Sequence, residues 1–156
     1  MHFNLAPLDT RRAIAMLGVI HRAVRREGPK HFHRFFQLAT TIPRFVRHWH
    51  SKTLIDPCDA ICPDYYRRSI FGLVGVYNLL PELVVAQESM KDFQSYLHLI
   101  VKYLAVSGYS NWSNVFHRDF ITHSALLSIT NEDLIGFELH GLAGNVNRLG
   151  ARLRST

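Results

Sequence analysis

The sequence predicts an all-α protein, a small helical domain with a long irregular loop around residues 40–68. Apolar residues recur at helical spacing both before and after that loop. Three prolines interrupt the loop itself, namely Pro43, Pro57 and Pro63. The chain has 156 residues and 47% hydrophobic content, so it is long enough to bury a core without disulfides.

The first predicted helix runs from about Asp9 to Glu27, and Gly28–Pro29 stops it. Its apolar stripe comprises Ala13, Met16, Leu17, Ile20, Ala23 and Val24. Five arginines fall on the opposite face, and we expect them to point to solvent: Arg11, Arg12, Arg22, Arg25 and Arg26. The helix is therefore amphipathic, with an arginine stripe outside.

A second helix is predicted from Lys30 to Ala39. Its apolar stripe would comprise Phe32, Phe35, Phe36 and Ala39, with basic residues on the remainder. Such a stripe usually packs in the core. The alternative is that these rings stack on nucleic-acid bases.

Two more helices are predicted beyond the loop. Ser69 suits the N-cap of a helix that ends near Asn78, before the break at Leu80–Pro81. Ser89 begins the clearest helix, with the spacing of a capping box, and Ser107–Gly108 ends it.

The C-terminal region offers a further helix start at Thr130-x-x-Asp133. Gly136 or Gly141 is expected to interrupt this helix. Leu142 to Leu153 then fit a last helix.

Charge is distributed unevenly along the chain. Residues 1–52 carry 10 Lys and Arg against 2 Asp and Glu, whereas residues 53–156 carry 8 against 10. A concentrated basic segment is typical of a polyanion-binding protein, although a solvated basic face is the alternative. The predicted contacts to RNA or DNA phosphates, which would give affinity without sequence readout, are Arg11, Arg12, Arg22, Arg25, Arg26, Lys30 and Arg34.

The two cysteines, Cys58 and Cys62, are too few for a disulfide framework, which suits a reducing compartment. Together with His48 and His50 they number four possible zinc ligands. Their spacing matches no common zinc pattern, so we predict ordinary thiols, no metal site and no cofactor.

The sequence contains none of the common nucleotide-binding, hydrolase or metalloprotease motifs. It has no apolar run of the roughly 20 residues needed to span a bilayer and no signal-peptide pattern. We therefore expect an intracellular protein, cytoplasmic or nuclear, without a membrane partner.

A series of short motifs over residues 5–118 resembles the C-terminal tail of non-LTR (LINE-type) retrotransposon reverse transcriptases. The motifs keep the family's order and comparable gaps: L-x-x-R-R at Leu8–Arg12, G-P at Gly28–Pro29, H-F-x-x-F-F at His31–Phe36, R-S-x-F at Arg68–Phe71, Y-N-x-L-P at Tyr77–Pro81 and F-x-x-x-L at Phe93–Leu97.

The resemblance implies a region that follows a polymerase core, with a role in structural support or contact with template nucleic acid. The parent protein copies RNA into DNA with paired aspartates in an aromatic-x-Asp-Asp motif. This chain lacks that motif, so we predict that it is not an enzyme.

A second set of motifs, over residues 98–154, resembles a sterile alpha motif domain. It comprises Leu126–Leu127, Ile129–Thr130, Glu132–Leu134 and Gly136–Phe137. That resemblance implies a helical bundle that binds a partner protein or a second copy through the C-terminal helices. The predicted domains are the reverse-transcriptase-tail-like region, 1–118, and a short helical C-terminal piece, 119–156. In the alternative interpretation this piece belongs to a sterile-alpha-motif-like bundle over 98–154. A mobile-element remnant without an evolved function is the remaining alternative.

Overall fold

The computed structural model describes residues 7–40, 50–57, 63–106 and 129–140. These ranges are mostly helical and contain no β-strand, which confirms the all-α prediction. In chain order their helices are α1 Leu8–Val24, α2 Asp64–Arg67, α3 Val74–Tyr77, α4 Glu82–Val85, α5 Met90–Val106 and α6 Asn131–His140. Two short 3-10 helices occupy Lys30–Phe32 and Ile70–Leu73.

Helix α1 forms where predicted but ends earlier, and the residue that ends it is an arginine. Arg26 adopts a left-handed conformation with φ of 60°. Its N–H donates to the Ala23 carbonyl, and the Glu27 N–H donates to the Arg22 carbonyl. These two bonds form a Schellman motif, whose left-handed position is usually a glycine. Gly28, the predicted stop, lies two residues beyond it.

The prediction of a helix over Lys30–Ala39 is wrong beyond the first turn. Residues 37–39 instead pair with residues 53–55 as an isolated antiparallel bridge between Leu38 and Leu54. The Ala39 N–H donates to the Thr53 carbonyl, and the Ile55 N–H donates to the Gln37 carbonyl, both at 2.9 Å. Because aromatic residues are weak helix formers, this non-local pairing outweighs the helical periodicity.

Asn78 secures the other side of the bridge. Its side-chain oxygen accepts the Leu54 N–H and its amide donates to the Leu54 carbonyl, each at 2.8 Å. The Asn78 side chain thus bonds to the backbone N–H and carbonyl of Leu54 in the way that a third strand would.

The predicted irregular loop is confirmed over most of its described part. Residues 50–57 contain no helix, and α2 is a single turn. Residues 41–49 and 58–62, with Cys58 and Cys62, lie outside the described residues.

The two predicted capping boxes form to different degrees. At α6 the Thr130 hydroxyl accepts the Asp133 N–H at 3.2 Å, and the Asp133 carboxylate accepts the Thr130 N–H at 3.0 Å. At α5 only one bond of the pair is present, from the Asp92 N–H to the Ser89 hydroxyl at 3.4 Å. Gly136 does not interrupt α6, while Gly141 and the last predicted helix lie outside the described residues.

The core lies between α1 and α5, which share the most extensive contact among the described elements. Gly18 lies at this contact, where a Cβ would come within 3.2 Å of the Met90 sulfur and the methionine side chain would have to shift slightly. Helices α3, α4 and α6 complete the core, whose fully buried side chains include Leu17, Ile20, Tyr77, Phe93, Leu97, Ile100, Leu104 and Leu134. Among the described residues, no helix is long and apolar enough to cross a membrane.

Candidate nucleic-acid interface

Six of the seven predicted phosphate contacts are exposed, and we call them the outer cations: Arg11, Arg12, Arg22, Arg26, Lys30 and Arg34. None of their side chains forms an ion pair or a hydrogen bond with another described residue. The amphipathic pattern of α1 explains this, since the stripe from Ile14 to Ala23 packs against α5 and leaves the arginines outside.

Arg11 and Arg22 lie on the same side of α1. Eleven residues correspond to three helical turns, so the two positions are about 16 Å apart along the axis. Arg12 is exposed on a neighbouring side, and Arg26 follows in the Schellman turn. The outer cations of α1 therefore form an extended surface rather than a single pocket.

Lys30 and Arg34 follow Pro29 along the chain. Both are exposed, and the segment from Gly28 to Thr40 contains no acidic residue. The Arg34 guanidinium carbon lies 4.7 Å from the centroid of the Phe35 ring, a cation–π contact.

Arg25 is the seventh predicted contact, and the structure places it apart from the others. Its guanidinium donates to the Gln87 carbonyl at 3.0 Å and forms an ion pair with Glu27. Its side chain is only 20% exposed. Arg25 therefore fastens the segment after α4 to the end of α1, whereas the helical pattern predicted a solvent-facing side chain.

A second group of basic residues is buried or half-buried, and we call it the inner basic cluster: His21, Arg25, His50 and Lys52. Its members bond mainly to backbone carbonyls around α4 and α3. The Lys52 ammonium donates to the Val85 carbonyl at 2.6 Å. Burial lowers the pKa of Lys52, and the nearby charge of Arg25 lowers it further.

His21 is the most buried member of the cluster. Its ring stacks on Phe93 with centroids 4.0 Å apart. Nε2 lies 3.0 Å from the Gln87 carbonyl, which only accepts, so Nε2 carries the proton. Nδ1 then accepts from the Tyr77 hydroxyl at 3.1 Å. Burial lowers the pKa of His21 to about 4, and the ring is neutral at pH 7.

His50 is a second neutral imidazole on the same tyrosine. Its Nε2 donates to the Tyr77 carbonyl at 3.0 Å, and its Nδ1 accepts the Lys52 N–H at 3.2 Å. Burial lowers its pKa as well. Both ring nitrogens are thus engaged within the fold, which removes His50 from the possible zinc ligands. His48, Cys58 and Cys62 lie outside the described residues.

The helical pattern of α1 indicates that His21 is buried, whereas composition alone counts it among the basic residues. His21 follows Leu17 by four residues and precedes Val24 by three, which places it on the apolar face. His50, Lys52 and Asn78 lie in or beside irregular segments, where no periodicity marks a buried position.

One open surface cavity of 410 Å³ lies beside α5. Its described lining comprises Gln87, Asp92, Ser95, Tyr96 and Leu99. The charged group among them is a carboxylate, so this lining does not suit an anionic ligand.

No family model, curated protein or solved structure matches this chain. The resemblances to a reverse-transcriptase tail and to a sterile alpha motif domain therefore stay predictions. Of residues 98–154, the structure describes 98–106 and 129–140, and within them α5 packs against α6.

Proposed function

We propose that this chain is a non-catalytic segment derived from a retrotransposon reverse-transcriptase tail, and that its outer cations bind the phosphate backbone of RNA or DNA. The observation that carries the proposal is the exposure of all six outer cations without an ion-pair partner among the described residues. Arginine and lysine side chains in this state bind phosphate oxygens readily.

The electrostatics of α1 favour the same partner. Its solvent side carries arginines with one acidic residue, Asp9, in the first turn. Like charges on one helix repel each other. A polyanion relieves that repulsion, and binding releases the counterions condensed on the nucleic acid.

The motif series supports the reverse-transcriptase origin, and its described residues have structural roles. Ser69 caps the second 3-10 helix by accepting the Phe71 N–H. Tyr77 and Asn78 anchor His21, His50 and the bridge at Leu54. These contacts are of the kind expected of structural support, which is one of the two roles that the resemblance implies.

The experiment is the salt dependence of oligonucleotide binding by the R11Q/R22Q variant, measured by fluorescence anisotropy. Loss of two phosphate contacts should make the slope of log affinity against log salt shallower by about 1.4 for a single strand. Affinity at low salt should fall as well, while the melting temperature stays close to that of the unsubstituted chain because both side chains are exposed.

The matched control is K91Q/K102Q on α5. Lys91 and Lys102 are exposed, lie on a helix of 17 residues like α1, and are also eleven residues apart. This variant removes the same charge at the same spacing and should leave the slope unchanged. Equal slopes for the two variants, or no binding at low salt, would contradict the proposal.

A further inference from the structure

Phe35 is an exposed aromatic ring held in place by other rings. Its side chain is 42% exposed. The ring meets Phe71 edge-on, with centroids 5.7 Å apart, and Phe71 in turn stacks on Tyr66 at 5.2 Å and on Phe36 at 6.0 Å. Because Phe36 is buried, the ring cluster is anchored in the core and fixes the orientation of Phe35.

Phe35 also lies beside a cation. The Arg34 guanidinium sits over its ring. Lys30, five residues earlier in the chain, is exposed. An aromatic face beside cations matches the chemistry of a nucleotide, which presents a base and a phosphate together. A base that stacks on Phe35 would leave the Arg34 guanidinium beside the adjoining phosphate or over the base itself, and guanidinium planes also stack on bases.

We propose that Phe35 and Arg34 form a stacking platform for one base of a single-stranded nucleic acid. This inference rests on the proposed function and narrows its ligand class. The bases of a duplex are already stacked on each other and expose only their edges. Single strands offer free base faces, so the platform gives them an advantage over duplexes of equal charge.

The test compares the unsubstituted chain with F35L on strands that do or do not contain bases. The probes are oligouridylate, oligothymidylate and an abasic deoxyribose-phosphate strand, each of roughly 12 nucleotides.

F35L keeps an apolar side chain but removes the aromatic face. It should weaken binding of oligouridylate or oligothymidylate roughly fivefold or more, and leave binding of the abasic strand within about twofold. Weaker binding of both oligouridylate and oligothymidylate by F35L would assign the contact to the base. Weaker binding of oligouridylate alone would identify RNA as the ligand.

Two further variants make the result specific. I135L changes a side chain of nearly equal exposure, 43%, on α6, and should alter no affinity. F35W retains an aromatic face and should retain binding of the base-containing strands. Its emission should also be quenched by those strands, beyond any quenching in the unsubstituted chain, and not by the abasic strand. This readout decides the question even if F35L is unstable.

The outcomes separate the two proposals. If F35L weakens the binding of base-containing and abasic strands equally, or weakens the binding of neither, the platform is overturned while phosphate binding by the outer cations stands. Absence of quenching in F35W overturns the platform in the same way. If the unsubstituted chain binds no strand at low salt, the proposed function and the platform both fall.

Discussion

The outer cations and the inner basic cluster come from the same basic third of the sequence, yet their side chains differ in exposure and in the partners that they bond to. The outer cations are exposed and have no ion-pair partner among the described residues. The inner basic cluster bonds to carbonyls and to Tyr77, and both of its imidazoles are neutral. Basic residues close in sequence therefore fall into a group available to a ligand and a group that holds the fold together.

The largest effect should come from the inner basic cluster. His21→Leu removes both hydrogen bonds of the ring and leaves the Tyr77 hydroxyl without its acceptor in the core. We expect a loss of about 4 kcal/mol in the free energy of unfolding. The unpaired Tyr77 hydroxyl costs about 1–3 kcal/mol, and the lost bond to the Gln87 carbonyl and the lost stack on Phe93 cost about 1 kcal/mol each. The Gln87 carbonyl keeps its bond from Arg25.

Urea denaturation at pH 7.5 measures this loss, with His31→Leu as the control because His31 is exposed. The control should change the free energy of unfolding by no more than about 0.5 kcal/mol. Similar values for the two variants would mean that His21 does not anchor the core through its buried ring.

Acid should have the next largest effect. The pKa of His21 is about 4 in the folded chain, against 6.5 ordinarily, so the unfolded chain takes up the proton first. The contribution of His21 to the free energy of unfolding is fully present above pH 6.5. It falls by roughly 3 kcal/mol as the pH drops toward 4. The lowered pKa of His50 adds a loss of the same sign.

Denaturation curves between pH 7.5 and 4 test this dependence. The His21→Leu variant should show a shallower decline, because only the remaining groups titrate. A decline of the same size in that variant would assign the acid sensitivity to other residues.

A smaller effect of opposite sign is expected at Arg26, an outer cation on a left-handed backbone. Arg26→Gly should raise the free energy of unfolding by about 1 kcal/mol, because glycine adopts this conformation without a Cβ clash. The same substitution removes a phosphate contact and should weaken nucleic-acid binding.

Arg26→Ala separates the two consequences. It should weaken binding equally and give no gain in stability, since alanine keeps the Cβ. Thermal melts and anisotropy titrations of both variants provide the measurement. A gain in stability for alanine as large as that for glycine would contradict the role of the left-handed turn.

The sequence predicted the features that depend on local periodicity and capping. Helix α1, helix α5, the break at Pro81 and the capping box at Thr130 all arise from patterns within a few residues. The solvent-facing position of Arg22 is a consequence of the same geometry.

The features that the sequence did not predict depend on partners distant along the chain. The pairing of Leu38 with Leu54 replaced a predicted helix, and Asn78 fixes it from 24 residues away. The helical pattern predicts a solvent-facing Arg25, because its partner, the Gln87 carbonyl, is 62 residues away and leaves no trace in that pattern. Short-range patterns contain no information on such contacts.

Arg22 and Arg25 test the division between the two groups most directly, because they are three residues apart at the C-terminal end of α1 and R22Q and R25Q remove the same charge. For each variant, the free energy of unfolding and the affinity for oligouridylate at low salt are measured together. We predict that R22Q weakens binding and leaves stability unchanged, whereas R25Q lowers stability by about 1 kcal/mol and leaves the affinity of the folded chain within about twofold. Equal changes in both quantities for the two variants, or the reverse assignment, would contradict the division into outer cations and an inner basic cluster.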